Sequence, residues 1–340
     1  WVCLGENASG DTDLLLVPLR REGAGFSAGP LERIAGFSGD DPRPVQVLES
    51  DGGDLLVLFD AAEGAIRRLS RIPPAPTESS RPISTAPRWA SLTSEQVSAF
   101  LDVEEPWLRD RAILELAVRG DPALPELRRL LGDSGTSVRA RRNAIWPLAR
   151  MKFSQAADLI YDALVAPAPS VRQAAANAVG VTRAWQIIAA NEPAEREIEL
   201  ERNRTISGAL ARIVRGDDAP VAREAAVALG RMGEYRSIGA LLGRLGRVDD
   251  DPILRHSLIQ SLVEIDDPEI TRSGLGSENP LLVAGVLEAL RQMPSARLEI
   301  IEVLPLLDHE FAGLRAAAAG IVEQRPQWDA ALANLFYGWV

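Results

Sequence analysis

The chain has 340 residues, is 46% hydrophobic and 25% charged, and carries a formal net charge of −11 with a pI near 4.9. That composition excludes collagenous and wholly disordered classes, and the length allows two domains or one repeat array. The acidic balance, with no Lys/Arg-rich stretch to offset it, argues against nucleic acid as a partner.

Residues 1–72 read as β. The runs 13–19, 31–35, 45–49, 55–59 and 65–71 are short and apolar or alternating, and Gly23-Ala24-Gly25, Asp51-Gly52-Gly53 and Glu63-Gly64 supply turn chemistry between them. Five short strands predict one antiparallel sheet with one apolar face, too little to close a sandwich alone. The Gly-rich segment 23–29 lacks the strand-then-helix context of a phosphate cradle, so it is expected to be a plain hairpin connection. Residues 73–90 hold five prolines among Ser and Thr and read as an extended linker. Thr93-Ser94-Glu95-Gln96 then carries a helix-capping signature that opens a helical region over 91–340.

That region repeats. Leu108, Ala140, Val171, Val221, Leu254, Leu282 and Leu314 serve as anchors, and the residues four and eight positions after each are also apolar. This i, i+4, i+8 spacing places 21 apolar residues on seven helix faces, one stripe per helix. The anchors lie 32, 31, 50, 33, 28 and 32 residues apart. A period near 32 that holds two helices predicts an α-solenoid. Asp, Glu, Asn or Pro precedes each anchor, as in Glu105-Pro106, Asp217-Asp218, Asp251-Pro252, Asn279-Pro280 and Asp308, which is helix-start chemistry.

Several features carry candidate function. Arg follows the anchor in five repeats, at Arg109, Arg141, Arg172, Arg255 and Arg315. A structural ladder forking to loop acids is expected, the alternative being a basic stripe for an acidic partner. Trp107, Trp146 and Trp185 are expected between helices. The 50-residue interval exceeds the mean of its neighbours by 18, and the excess falls at 191–204, where Glu195, Arg196, Glu197, Glu199, Glu201, Arg202 and Arg204 make seven of ten positions charged. A helix charged nearly all round projects into solvent or bridges to a partner, so these seven residues are the candidate protein-binding set. The pairs Glu199–Arg202 and Glu201–Arg204 are expected to support it.

No catalytic or metal site is expected. Cys3 is the single cysteine, His256 and His309 are the two histidines, and neither has the partners a nucleophile or metal cage requires. The acidic groups Asp249-Asp250-Asp251 and Asp266-Asp267 lack the alternating spacing and turn glycine of a calcium loop and are expected to cap helices. No apolar run approaches a membrane span. Trp1 at one end and Leu335-Phe336-Tyr337-Gly338-Trp339-Val340 at the other read as cuts through a larger protein or a processed form. The expectation is a non-catalytic scaffold without cofactor, one subunit or fragment of a larger assembly with a protein partner.

Val171-Arg172-Gln173-Ala174-Ala175-Ala176 and Val221-Ala222-Arg223-Glu224-Ala225-Ala226-Val227-Ala228-Leu229-Gly230 resemble HEAT repeats, which implies an α-α superhelix over the helical region. The β segment, in Pro42-Arg43-Pro44-Val45-Gln46-Val47, Asp51-Gly52-Gly53-Asp54-Leu55-Leu56-Val57 and Gly64-Ala65-Ile66-Arg67-Arg68-Leu69, resembles the last blade of a sorbosone/glucose-dehydrogenase-type propeller. With the linker and Pro106-Trp107-Leu108-Arg109-Asp110-Arg111-Ala112 after it, the order of parts is similar to PVC-type membrane-bound dehydrogenases. That resemblance implies a periplasmic or exported parent enzyme, quinone-linked and usually continuing into a haem c domain. The sequence departs from it in lacking the rest of the propeller and any Cys-x-x-Cys-His. A bilin-lyase-like HEAT protein is a third reading, weakened by the lack of a reactive Cys/His pair.

Overall fold

The computed structural model describes residues 2–6, 11–38, 42–49, 55–60, 65–69, 87–151, 154–189, 193–248, 251–329 and 332–333. The expected linker is outside this set apart from its last four residues, as are Asp249, Asp250, the C-terminal apolar segment and the side chain of Trp185. The chain forms two compact units. One comprises residues 1–22 and 26–147, the other residues 23–25 and 148–340.

Eight described strands occupy the N-terminal region: β1 (Val2–Glu6), β2 (Thr12–Leu16), β3 (Leu19–Glu22), β4 (Gly25–Ala28), β5 (Glu32–Phe37), β6 (Arg43–Glu49), β7 (Leu55–Asp60) and β8 (Ala65–Leu69). They make two antiparallel three-stranded sheets, β1-β2-β5 and β6-β7-β8, and a separate β3-β4 pair. This corrects the expectation of five strands in one sheet. The run 13–19 is in fact the end of β2 and the start of β3, and β1 has too little alternation, with Cys3 and Gly5 interrupting it, to read as a strand. Each sheet has one apolar face, and the two faces bury each other. Leu14 and Phe37 of the first pack with Val57 and Phe59 of the second, flanked by Leu4, Ala35, Val47 and Leu55. The Phe37 and Phe59 rings meet edge to face at 5.2 Å. Pro44 cannot donate to a ladder, and β6 accommodates it with a register shift against β7 between Pro44 and Gln46.

The helices are α1 (Ser94–Ser98), α2 (Pro106–Arg119), α3 (Leu124–Gly132), α4 (Val138–Arg150), α5 (Ser154–Asp162), α6 (Pro169–Ala189), α7 (Pro193–Gly216), α8 (Ala219–Met232), α9 (Ile238–Leu245), α10 (Pro252–Ile265), α11 (Pro268–Arg272), α12 (Pro280–Gln292), α13 (Ile300–Val303) and α14 (Ala312–Val322). Each anchor opens an even-numbered helix, and of the 21 stripe residues all but Leu282 and Val322 are buried. α1 begins with the expected reciprocal cap, in which the Gln96 N–H donates to Thr93 Oγ1 and the Thr93 N–H donates to Gln96 Oε1. Asn279 accepts from the Leu281 N–H at the start of α12 and donates to the Gly246 carbonyl of the preceding repeat at 2.6 Å, so one side chain caps and staples. Asp266 ends α10 in the left-handed region at φ 53°, and Ser295 holds its carboxylate at 2.8 Å.

In the second unit α6, α8, α10, α12 and α14 stack in sequence as one layer, with α7, α9 and α11 forming the other. Small residues set the spacing. A Cβ at Gly180 of α6 would lie 3.1 Å from the Ala228 Cα of α8, and one at Gly230 of α8 would lie 2.9 Å from the Ser261 Cα of α10. The fold is a HEAT/armadillo-like α-solenoid with a small antiparallel β region at its N-terminus.

Candidate functional site

The Arg positions after the anchors work mostly on backbone. Arg109 donates to the Val103 and Glu104 carbonyls, Arg172 to those of Ala166 and Pro167, and Arg315 to those of His309 and Glu310. Each guanidinium thus ties down the loop five or six residues before it, satisfying carbonyls that the entry into the helix leaves open. Arg255 reaches forward to the Leu281 carbonyl at 3.2 Å, whereas the buried Arg141 Nε has no hydrogen-bond partner. The expected acid fork occurs at Arg172, whose Nε and Nη2 bind Asp217 at 2.6 and 2.7 Å across one repeat. Burial opposes ionisation of Asp217. The Arg172 fork, the Asp218 N–H and the nearby Arg244 outweigh it and hold the carboxyl below its usual range.

The seven candidate docking residues lie on α7. Its second half is core, with Ile206, Leu210, Ile213 and Val214 buried. The first half continues the same helix outward and exposes Glu197, Leu200, Glu201 and Arg204. The side chains of Glu195, Arg196 and Glu199 are outside the described set. Glu201 pairs with Arg204 at 2.8 Å as expected. Arg202 reaches Asp158 of α5 at 3.1 Å, and the expected Glu199–Arg202 pair falls on a side chain outside the described residues. The Arg202 guanidinium is only 26% exposed, and a carboxylate on the adjacent helix gives it a partner where it is partly desolvated. Asn203 is buried, with its side-chain carbonyl unpartnered. Exposed Glu201 and Arg204 thus lie on the outward face, and Arg202 and Asn203 on the inward one. Between α5 and α7 a cleft of about 440 Å³ is lined by Asp158, Tyr161, Glu201, Arg202, Thr205 and Ile206.

The remaining candidates are capping or surface groups. His309 Nδ1 accepts from the Phe311 N–H at 3.0 Å just before α14, and His256 is exposed on α10. Asp251 accepts from the Leu254 N–H and Asp267 from the Ile270 N–H, the third residues of α10 and α11. Among the described residues no three His, Cys, Asp or Glu cluster as metal ligands, and no helix is long and apolar enough to cross a membrane. Strands flank Gly23-Ala24 on both sides, as expected. The tip does more than connect them. The Ala24 N–H donates to Asp251 Oδ2 at 2.7 Å, and its carbonyl accepts from Arg223 Nη1 at 3.0 Å, both within the second unit. Sequence reading missed Arg223. Its one signal is that it lies on the i, i+4, i+8 stripe Arg223, Val227, Arg231, the face of α8 least covered by neighbours.

Residues 95–180 match the family model for HEAT repeats. No curated protein matches the chain significantly. Solved structures similar to this chain include the complex of CpcE and CpcF of phycocyanin lyase from Nostoc sp. PCC7120, at 21% identity and TM-score 0.41 over 49% of this chain and 96% of that one. An engineered protein matches at 17% identity and TM-score 0.38 over 69% and 98% of the two chains. A designed armadillo repeat protein in complex with the peptide (KR)4 matches at 16% identity and TM-score 0.37 over 67% and 98%. The chain is thus similar to HEAT repeats in sequence over 95–180 and to armadillo-type repeat arrays in structure.

Proposed function

We propose that this repeat scaffold is a non-catalytic interaction module, a subunit or fragment of a larger assembly, and that it docks a protein partner on the first half of α7. One observation carries the reading. An interval lengthened by 18 residues goes into lengthening both α6, to 21 residues, and α7, to 24, and the first half of α7 leaves Leu200 48% exposed between Glu197 and Glu201. Glu201–Arg204 is exposed on both sides and adds little to such a helix. Arg202–Asp158 fixes its base. The result is a charged helical surface with one exposed leucine, the kind of surface a helix groove or a basic patch receives. The test changes three exposed residues, Glu197→Arg, Leu200→Asp and Glu201→Arg, and leaves Arg202 and Asn203 in place. The melting temperature should stay within about 3 °C, because exposed substitutions cost little. The complex recovered from the native source should lose its partner. Undiminished assembly would show that the extension is a tolerated insertion.

A second reading makes the chain part of a PVC-type dehydrogenase whose catalytic propeller lies outside it. The order of parts supports it, as do two antiparallel three-stranded sheets that share one core, one of them the meander β6-β7-β8. None of the matches above is to a dehydrogenase. The intact mass of the native polypeptide separates the readings, since a value well above 36.7 kDa favours the enzyme.

A further inference from the structure

We propose that Arg141 is a receptor for a carboxylate, the side chain of an aspartate or glutamate on an acidic segment of a partner polypeptide. The four other ladder arginines all have partners in the chain. Arg109, Arg172 and Arg315 close the loop five or six residues before them by donating to its carbonyls. Arg172 also forks to Asp217, four residues before the next anchor, and Arg255 donates to the Leu281 carbonyl. Arg141 performs neither task, and among the described residues it has no hydrogen-bond or ion-pair partner. Its loop is closed without it. Asp133 accepts from the Gly135 N–H at 2.9 Å and from the Thr136 hydroxyl at 3.3 Å, and Ser137 Oγ caps α4 by accepting from the Ala140 N–H at 3.0 Å. In sequence, the position equivalent to Asp217 holds Pro167, four residues before Val171, within the acid-free run Ala166-Pro167-Ala168-Pro169.

The guanidinium is also presented for use. The side chain is half-buried, its Nε is covered and unpartnered, and Nη1 and Nη2, equally without partners, are the nitrogens left at the surface. Two parallel N–H donors on one edge match the two oxygens of a carboxylate. Packing around Nε fixes the arginine beforehand, so binding orders little on the protein side. The Arg172–Asp217 fork, at 2.6 and 2.7 Å, shows that a carboxylate is what this ladder position receives when one is within reach. The surroundings set the sign of the incoming segment. α4 holds Arg139, Arg141, Arg142 and Arg150 and no Asp or Glu, in a chain whose net charge is −11. Arg139 donates to the Asp102 carbonyl at 3.1 Å and Arg142 to the Asn143 side-chain carbonyl at 3.4 Å, and neither has an ion pair among the described residues. Asp102, the acid that meets the start of α4, accepts from the Ser137 hydroxyl at 2.5 Å. An acidic segment that seats one carboxylate on Arg141 therefore meets further positive charge on either side of it.

The site uses none of the α7 residues, so its test is independent of the docking reading above. The full chain is titrated into a fluorescein-labelled (Glu-Ser)5 peptide and into its neutral counterpart (Gln-Ser)5, with binding read as anisotropy. The acidic peptide should bind saturably and the neutral one should not. Arg141→Met, which keeps an unbranched stem, should weaken binding of the acidic peptide about tenfold or more. Arg141→Lys should not restore it, because an ammonium lacks the fork. Arg128→Ala makes the same charge change at an exposed position of α3 and should leave the affinity within about twofold. No saturable binding, equal binding of the two peptides, an equal loss in Arg128→Ala, full recovery with lysine, or tighter binding of a labelled oligothymidine decamer would each overturn the proposal. Melting gives a reading that needs no peptide. A guanidinium without a partner adds nothing to the fold, so Arg141→Met should hold or raise the melting temperature, whereas Arg172→Met should lower it. A fall of more than about 3 °C in Arg141→Met would mean that the chain already engages this guanidinium, and it would refute the receptor.

Discussion

Asp217 shows how much a single residue does in this array. Its side chain is 12% exposed, and the Arg172 fork ties the start of α6 to the loop that opens the next repeat. Because its folded pKa lies below the ordinary value, the stability it contributes is fully present above about pH 4, the unfolded carboxylate value. It is lost as pH falls through the lower folded value. Asp217→Asn should cost roughly 1–3 kcal/mol in urea unfolding at neutral pH, and the loss of stability on acidification below pH 4 should be shallower in the variant. An unchanged acid limb would mean that the fork contributes nothing. The positions of the ladder arginines were legible because each follows an apolar anchor. Their partners were not, because a loop carbonyl has no signature in sequence. Arg223 was illegible for the same reason, its acceptor being the backbone of a turn 199 residues away.

At the scale of elements, the helices were readable because one stripe at i, i+4, i+8 specifies both period and burial, and Leu116, Leu148, Val179 and Leu229 are all fully buried. The β region was not, because its strands are four to seven residues long and only the second sheet shows which face of the first is covered. Which side of α7 Arg202 takes is not legible in the sequence, since charge does not distinguish a solvated arginine from one seated against Asp158. Close approach is the property that individualises α6, α8 and α10. Gly180 faces backbone, the Ala228 Cα at 3.1 Å, which cannot swing aside as a side-chain tip can. Gly180→Val should therefore destabilise by about 1–3 kcal/mol through overpacking, despite removing a helical glycine. Thermal unfolding followed at 222 nm checks this, and a rise in melting temperature would contradict the close-packed account.

For the molecule as a whole, stability of a stacked array is approximately a sum of repeat and nearest-neighbour contributions. The second unit draws its core from α6, α8, α10, α12 and α14, and from the β region it takes only residues 23–25. Among the described residues, removing 1–72 deletes the two hydrogen bonds of Ala24 to the second unit, and it removes no stripe residue. Once the turn is gone Arg223 and Asp251 regain water, so the net loss should be smaller than the roughly 1.5–3 kcal/mol assigned to each bond to a charged group. The N-terminal end of the array keeps its own closure, because Trp89 packs edge to face on Phe100 at 5.1 Å and its carbonyl accepts from Arg119 at 3.0 Å. The truncated chain should therefore retain the helical signal at 222 nm at room temperature and melt only a few degrees lower. Loss of most of that signal would mean that the β region is required for the repeats to fold.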